Sequence, residues 1–162
     1  MKTIYYYLRK IRKTVSNFIK AYMINNPLPI GIIEADEAII TARRRGLIGF
    51  PNAQVWIFGL YHRQMKFGYV FVVPDRTMAS LMPLIDNFVS AGSELYTDQF
   101  STYVTINGAS NVNRLLLHKN ILHLWVNHGV SWTNLFDNTI HTNSIEKFWK
   151  SLRKKLKKKY KN

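Results

Sequence analysis

The chain has 162 residues, close to the length of a single domain, and 47% of them are hydrophobic, which is enough apolar material for one buried core. The lack of cysteine excludes disulfides, thiol nucleophiles and cysteine-ligated zinc sites within these residues. A net charge of +14 indicates a polyanionic partner. No run approaches the roughly 18 apolar residues of a membrane span, so we expect a soluble protein.

Hydrophobic periodicity predicts the elements of the first half. Apolar residues spaced by three and four predict an amphipathic helix from Tyr5 to about Ile24. Ile30 to Asp36 is a short Ile-rich run that predicts a strand ending in an acid. Residues 55–62 and 67–73 are aromatic and β-branched runs that predict a hairpin. We expect these three strands to be antiparallel.

The second half alternates between helical and extended patterns. Residues 77–89 predict a helix that covers the sheet, and residues 94–97 a fourth strand with Asp98 at its end. Residues 121–126 predict a further strand, and a long helix begins at Asn143. Residues 103–106 and 114–118 fit neither pattern well. The sum is an α/β order with a mixed five-stranded sheet flanked by helices, and an N-terminal helix outside this core.

The basic charge lies at the two ends of the chain. Residues 1–29 carry six basic and no acidic side chains, and residues 147–162 carry nine basic and no acidic ones. The middle holds the other eight basic groups and all nine acids. This pattern favours a protein that holds phosphates at its edges and does chemistry at its centre. A solvated tail or nuclear-import signal is the alternative for the final lysine run, and a solvated loop for Arg43, Arg44 and Arg45.

Three acids are candidates for a metal site. Asp36 and Asp98 follow predicted strands, and Glu146 lies in the first turn of the last helix. Phosphoryl transfer without a protein nucleophile commonly uses two divalent ions held by oxygen ligands. Each acid also has a structural interpretation: a polar strand end, a cap for the segment that begins at Phe100, or a capping box with Asn143. Spacing alone does not decide between them.

The last helix has a polar stripe beside its apolar face. At 100° per residue, Asn143, Glu146, Lys150 and Arg153 fall on one side of the face that contains Ile145 and Trp149. If the apolar face packs on the sheet, Glu146 approaches the strand ends. Lys150 and Arg153 then lie where phosphate would bind.

Six short motifs follow one another along the chain. They are Ile33–Glu37 (IEADE), Val73–Asp75 (VPD), Leu81–Ile85 (LMPLI), Leu95–Asp98 (LYTD), Val126–His128 (VNH) and His141–Trp149 (HTNSIEKFW). In this order they resemble the DDE transposase domain of the Merlin elements of eukaryotes and their bacterial insertion-sequence relatives, the ISXO2-like transposases. The resemblance covers roughly residues 30–154. No single motif is specific, but six in register are hard to obtain by chance.

The resemblance implies a ribonuclease-H-like fold and a transposase that cuts and joins DNA. It implies that Asp36, Asp98 and Glu146 are the catalytic acids, which hold two Mg²⁺ or Mn²⁺ ions, with Asn143 as an alternative third ligand. It also implies that basic residues contact DNA. We predict these to be Arg43, Arg44, Arg45, Lys150, Arg153 and Lys154. His128 and His141 lie in matched motifs, and we assign them no chemical step.

Two departures from the family pattern qualify this interpretation. The segment after the first acid, residues 38–45, keeps the arginines but lacks the glycines of other members. Of the N-terminal DNA-reading module that larger relatives carry, residues 12–22 resemble at most its last helix. We therefore predict a basic N-terminal helix at 1–29, a catalytic domain at 30–154 and a lysine-rich tail at 155–162, with the chain as a truncated copy.

Two other functions compete with DNA strand transfer. One is a ribonuclease-H-like nuclease that cuts without joining, and the other is a decayed or domesticated basic DNA-binding remnant. The expected partners are double-stranded DNA at transposon ends and targets, and further copies of the chain in a homodimer or higher oligomer. We expect neither a membrane nor a small-molecule substrate. The expected location is the nucleus of a eukaryotic host, or otherwise the cytoplasm and nucleoid.

Overall fold

A computed structural model describes residues 2–42, 53–104, 120–131, 133–134 and 137–159. Within these ranges the chain forms three helices and five strands. In chain order they are α1 (Lys2–Asn25), β1 (Ile32–Ala42), β2 (Ala53–His62), β3 (Phe67–Val73), α2 (Met78–Phe88), β4 (Glu94–Asp98), β5 (Leu122–Val126) and α3 (Asn143–Lys159). Residues 43–52 and 105–119, which include Arg43, Arg44 and Arg45, lie outside the described residues.

The strands form one mixed sheet in the order β3-β2-β1-β4-β5. β1 and β2 pair antiparallel, and so do β2 and β3. β4 pairs parallel to β1, and β5 parallel to β4. This arrangement confirms the predicted five-stranded mixed sheet with three antiparallel strands at its beginning.

β1 is longer than the sequence predicted. The prediction ended this strand at Asp36, but it continues to Ala42. Beyond Asp36, Ala38 pairs with Ile57 and Ile40 with Val55. These cross-strand apolar pairs stabilise the extension of the strand. The prediction that Asp36 ends its strand was therefore wrong, since the residue lies well inside β1.

The α2 face of the sheet carries the larger core. Alternate residues of a strand point to the same face, and Ile33, Ala35 and Phe58 all project towards α2. They form one buried cluster with Leu81 and Ile85 of that helix, and all five are fully buried. Helix α2 therefore covers an apolar face, as its periodicity predicted.

The α3 face of the sheet has smaller apolar clusters. Ile145 and Trp149 of α3 pack on Ala38 and Ile57, while a separate cluster around Val126 lies further along the sheet. The remainder of this face carries acidic side chains. The predicted apolar face of the last helix is confirmed, and it packs directly beside these acids.

Helix α1 lies outside this core, as predicted. Its apolar residues remain largely exposed, with Phe18 at 70% and Ile11 at 58%. The chain joins the core at the end of α1, where Met23 is buried, and at Leu28, which forms a bridge with Val89. Among the described residues, no helix is both long enough and apolar enough to cross a membrane.

Candidate active site

Asp36 and Asp98 lie on neighbouring strands of the α3 face. The parallel pairing of β1 and β4 places Glu34 opposite Tyr96. Two residues further along both strands, the same register brings Asp36 level with Asp98. Because opposite residues of parallel strands point to the same side of a sheet, the two carboxylates share one face. The first two predicted acids are thus together.

Burial dominates the electrostatics of Asp36. Desolvation raises its pKa from 3.8 to about 6, and the charges of Asp98 and Glu146 act in the same direction. Two donors oppose this rise: Trp149 Nε1 donates to Oδ2 at 2.9 Å, and the Glu37 N–H donates to Oδ1 at 2.8 Å. A carboxylate surrounded by like charge is a position that a cation would stabilise.

Asp98 is in a similar environment at the end of β4. Burial raises the pKa of its carboxyl, while the charges of Arg76 and His128 lower it. Its Oδ1 has no hydrogen-bond partner among the described residues. Leaving a buried carboxylate oxygen unpartnered costs free energy. This atom is therefore available to a ligand that brings positive charge.

Glu146 approaches Asp36 from α3. Its side chain is half-buried, and its charge is one of the causes of the raised pKa of Asp36. Lys150 and Arg153 follow on the same side of α3, and Lys154 lies next to them, all three exposed. The helix therefore presents one acid towards the sheet and several cations to solvent.

Glu34 holds the start of α3 against β1. It is fully buried, and its Oε2 accepts hydrogen bonds from the N–H groups of Ser144 at 2.9 Å and Ile145 at 2.8 Å. First-turn N–H groups have no partner within a helix, and the N-terminal end of the helix dipole favours a carboxylate. Glu34 thus fixes the helical turn that contains Glu146.

Arg63 completes this arrangement from the turn after β2. Its Nε donates to Glu34 Oε1 at 2.8 Å. Its two terminal nitrogens donate to the backbone oxygens of Thr139 at 2.9 Å and His141 at 2.8 Å, and its guanidinium lies over the Tyr96 ring. The guanidinium therefore ties the segment before α3 to the same buried carboxylate.

The start of α3 does not follow the capping-box interpretation. Asn143 is the first residue of the helix, and the next two N–H groups donate to Glu34. The Glu146 N–H donates to the backbone oxygen of Thr142 at 3.2 Å. A strand therefore supplies the cap, and the charge of Glu146 acts on Asp36.

Gly59 leaves room for Trp149 to reach Asp36. In the β1–β2 pairing, Asp36 lies opposite Gly59. A Cβ on Gly59 would lie 2.5 Å from Cζ2 and Cη2 of Trp149, a distance that real side chains do not adopt. The indole therefore crosses β2 only because this position has no side chain, and from there its N–H donates to Asp36.

A second acid–arginine pair lies behind Asp36. Arg76 donates to Glu37 Oε2 through Nε at 3.0 Å and through a terminal nitrogen at 2.8 Å. Its guanidinium also stacks over Trp56 and, at 3.9 Å from the centroid, over Phe100. Burial raises the pKa of Glu37 to about 7 despite the arginine. Arg76 thus pairs with Glu37 and acts electrostatically on both Glu37 and Asp98.

The three predicted acids interact electrostatically but do not form a closed cage. Among the residues that the structure describes, no three His, Asp or Glu side chains are grouped closely enough to hold a metal ion. The donor set nevertheless fits a hard divalent cation, because it consists of carboxylate oxygens. One of these oxygens is buried without a partner.

Comparison with known proteins identifies the family. The profile of the ISXO2-like transposase domain matches residues 30–162, which is most of the chain. The chain belongs to the ISXO2-like transposase domain family. This confirms the resemblance seen in the sequence. A search of curated proteins gives no significant match.

The fold of this transposase domain has a solved counterpart. A chain in the cryo-EM structure of the simian T-cell lymphotropic virus intasome, in complex with the PP2A regulatory subunit B56 gamma, superposes with a TM-score of 0.51 at 16% identity. The match covers 83% of this chain but spans only 42% of the viral chain. At this identity the likeness concerns the fold alone, and it supports the predicted ribonuclease-H-like architecture.

Sequence reasoning missed the residues that position the acids of the transposase domain. Glu34 and Glu37 were not among the candidate site residues, and neither were Arg63 and Arg76. An available signal was the IEADE motif, because acids that alternate along an apolar strand cannot all face solvent. The predicted domain limits remain predictions, although α3 continues to Lys159, beyond the predicted start of the tail.

Proposed function

We propose that this transposase domain cuts DNA at transposon ends and joins the freed ends to target DNA, with Asp36, Asp98 and Glu146 as the catalytic acids. The observation that carries the proposal is that Asp98, from the strand parallel to β1, and Glu146, from α3, both act electrostatically on Asp36. These acids occur in a chain of net charge +14, and Lys150, Arg153 and Lys154 are exposed on the same helix as Glu146.

The same three acids would hold the divalent cations that the family uses. Their mutual repulsion and the unpartnered Oδ1 of Asp98 are both relieved by positive charge. When bound, Mg²⁺ or Mn²⁺ supplies stabilisation of the negative charge that develops on the attacking and leaving oxygens. Asn143, the first residue of α3, remains the alternative third ligand.

The surrounding residues position the acids. Trp149 Nε1 orients Asp36 through Oδ2, and Glu34 holds the turn of α3 from which Glu146 projects. The charges of Arg76 and His128 lower the pKa of Asp98 and so oppose the rise that burial causes. This preorganisation fixes the side chains before DNA arrives, so that little reorganisation accompanies the reaction.

DNA binding by the domain should be mainly electrostatic. Lys150, Arg153 and Lys154 are exposed on α3, beside the acids, and Arg43, Arg44 and Arg45 remain predicted contributors. If about six phosphates are neutralised, the affinity should fall by roughly a thousandfold between about 50 and 200 mM salt. Fluorescence anisotropy with a labelled duplex measures this, and a flat salt response would refute the assignment. Further copies of the chain on the DNA, and a nuclear or nucleoid location, belong to the same proposal.

The decisive experiment compares Glu146→Gln with Asn143→Ala in a cleavage and joining assay. The substrate is a labelled duplex that carries the sequences flanking the coding gene, with Mg²⁺ or Mn²⁺. We expect Glu146→Gln to abolish both products while the protein unfolds at an unchanged or higher temperature. Asn143→Ala should retain products, because a strand already caps α3.

Other outcomes separate the alternatives. Activity that survives in Glu146→Gln but not in Asn143→Ala would assign the third ligand to Asn143. Cleavage without joined products would indicate a nuclease. An unmutated protein that neither cuts DNA nor gains thermal stability with Mg²⁺ would indicate a DNA-binding remnant, because a bound ion stabilises a folded protein by mass action.

A further inference from the structure

We propose that a cleft on the other side of α3 binds one nucleotide of an unpaired DNA strand, with its phosphate on Lys66 and Lys147 and its base against Tyr61 and Phe148. The choice of DNA as the polyanion rests on the proposed function. The cleft itself is separate from the three acids. It would hold the strand that becomes unpaired at a transposon end.

The cleft lies between the β2–β3 turn and α3 and has a volume of about 380 Å³. This is within the range of sites that hold small organic molecules. Arg63 and Lys66 line it from the turn, and Ser144, Lys147 and Ser151 line it from the helix. The lining contains no acidic side chain. The cleft therefore has the size of a nucleotide and the charge for a phosphate.

Helix geometry separates the cleft from the acids. At 100° per residue, Ser144, Lys147 and Ser151 form one side of α3, and Glu146 lies on the opposite side. The buried residues Ile145 and Trp149 lie between the two sides and pack on the sheet. A ligand in the cleft would thus lie across the helix from the acids, where it can hold DNA without occupying the place of the reacting phosphate.

Two cations in the cleft are free to bind an anion. Arg63 is already committed to Glu34 and to backbone oxygens, so it contributes a fixed positive charge. Lys66 and Lys147 are exposed, and neither forms an ion pair with another described residue. The hydroxyl groups of Ser144 and Ser151 add polar atoms to the same wall. Such a set suits a phosphodiester.

An aromatic pair forms the remaining wall. The rings of Tyr61 and Phe148 lie 5.5 Å apart at an angle of 38°, and both are half-buried. Aromatic side chains beside basic residues are the pattern by which proteins bind single strands, because an unpaired base stacks on the ring while its phosphate meets the cation. A base inside a duplex is not accessible to such a wall. The structure therefore favours an unpaired nucleotide over a paired one.

The test uses the full chain in EDTA with two duplexes that differ only in three unpaired nucleotides at one end. An unpaired 2-aminopurine reports stacking by a loss of fluorescence. We expect the unmutated protein to prefer the overhang by at least about fivefold and to quench the probe. Lys66→Ala with Lys147→Ala should lose the preference, and Phe148→Leu should lose the quenching.

A matched variant controls for charge. Lys13→Ala with Lys20→Ala removes the same charge from exposed positions of α1, outside the cleft. This variant should bind both duplexes more weakly to the same extent and should keep the preference for the overhang. Equal loss of preference in the two double variants would overturn the proposal, as would quenching that persists in a Phe148→Leu protein whose thermal unfolding shows it to be folded.

Failure of the cleft and failure of the proposed function give different results. Binding in EDTA requires no catalysis. An inactive protein that still prefers the overhang would therefore support nucleotide binding in the cleft and refute DNA strand transfer. A protein that cuts and joins DNA in Mg²⁺ but shows no preference for the overhang would refute only the proposal that the cleft binds a nucleotide.

Discussion

The two faces of the sheet bury different kinds of residue. The α2 face is covered by one continuous apolar cluster, which includes fully buried residues such as Phe58 and Leu81. The α3 face divides its apolar residues into two small clusters, and Glu34, Asp36 and Asp98 lie on the same face. One face gives stability, while the other holds charged groups at some cost in stability.

This difference separates the tasks of the two helices that cover the sheet. α2 contributes through burial of apolar area, which is roughly proportional to the area removed from water. α3 is anchored differently, by two N–H bonds to a buried glutamate and by one indole bond to Asp36. Directional bonds fix an orientation more narrowly than apolar contact does. The contacts of α3 can therefore hold a carboxylate in a defined position, whereas the contacts of α2 mainly bury apolar surface.

The largest expected effect comes from removing one acid. Asp98→Asn should reduce DNA cleavage by about a thousandfold or more, as loss of a group that acts on the reacting phosphate does. The same change should raise the free energy of unfolding at pH 7 by about 1 kcal/mol without metal, because the unpartnered buried charge disappears. Cleavage rates and urea unfolding measure the two effects. A clear loss of stability would contradict this view of the α3 face.

Two isoleucines provide a matched comparison of the faces. Ile85 of α2 and Ile145 of α3 are both fully buried. Ile85→Ala should cost about 4 kcal/mol, because it opens a cavity inside the large cluster, and Ile145→Ala about 2–3 kcal/mol, because the half-buried residues around the small cluster can move in. Urea unfolding gives both values. Ile145→Ala should also reduce DNA cleavage, because Ile145 lies next to Glu146 in α3. Equal cleavage rates in the two variants would show that the two faces do not differ in their effect on activity.

Stability should depend on pH through His123 of the α2 face. Thr97 Oγ1 donates to the Asp98 backbone oxygen, so His123 Nε2 donates to Oγ1 at 3.0 Å, and its buried Nδ1 has no partner among the described residues. Burial lowers the pKa of His123 to about 4. The unfolded chain therefore binds a proton near pH 6.5 that the folded chain binds only near pH 4, so the contribution of His123 lowers stability as the pH drops from about 6.5 to 4.

A His123→Phe variant isolates this effect. Between pH 6.5 and 4 the contribution of His123 should lower the stability of the unmutated protein by about 3 kcal/mol relative to the variant. Asp36 and Glu37 act in the opposite sense over pH 4 to 7, because their raised pKa values favour the protonated, folded form. The difference between the two proteins removes this shared contribution. Identical pH profiles from chemical unfolding would show that His123 does not carry the dependence.

The smallest expected effect concerns Gly59. Gly59→Ala should cost about 2 kcal/mol, because the new Cβ meets Trp149 at 2.5 Å and the indole must shift. The shift breaks the bond to Asp36 Oδ2 and should slow cleavage. Adding Trp149→Phe should recover part of the lost stability but not the activity. If the two substitutions were additive in unfolding experiments, the residues would not be coupled in this way.

The periodic parts of the fold were predictable from the sequence. Alternation and helical spacing depend on local chemistry, so the elements and the antiparallel start of the sheet were predicted correctly. The extension of β1 past Asp36 was missed, because it depends on pairing with β2, which no local pattern reveals. A strand gains such residues from a partner that lies far away in the sequence.

The acids of the candidate site were predictable, but their supports were not. Asp36, Asp98 and Glu146 were selected from their positions in predicted elements, and their catalytic roles remain predictions. Glu34 alternates with Asp36 along β1, but this pattern does not show what a buried glutamate contacts. Its partners Ser144 and Arg63 are 110 and 29 residues away in the sequence. Tertiary contact alone explains why an acid occupies that position.

The loose association of α1 with the core has a consequence for self-association. β3 is an edge strand, paired with β2 on one side, and its residues Val70 and Val72 remain exposed. Val15 and Ile19 of α1 face these valines across a groove. An uncovered apolar edge strand is a template for pairing with another chain. A variant without residues 1–27 should keep its sheet, but its exposed strand β3 could then pair with other copies. It should therefore precipitate at concentrations at which the longer chain stays in solution.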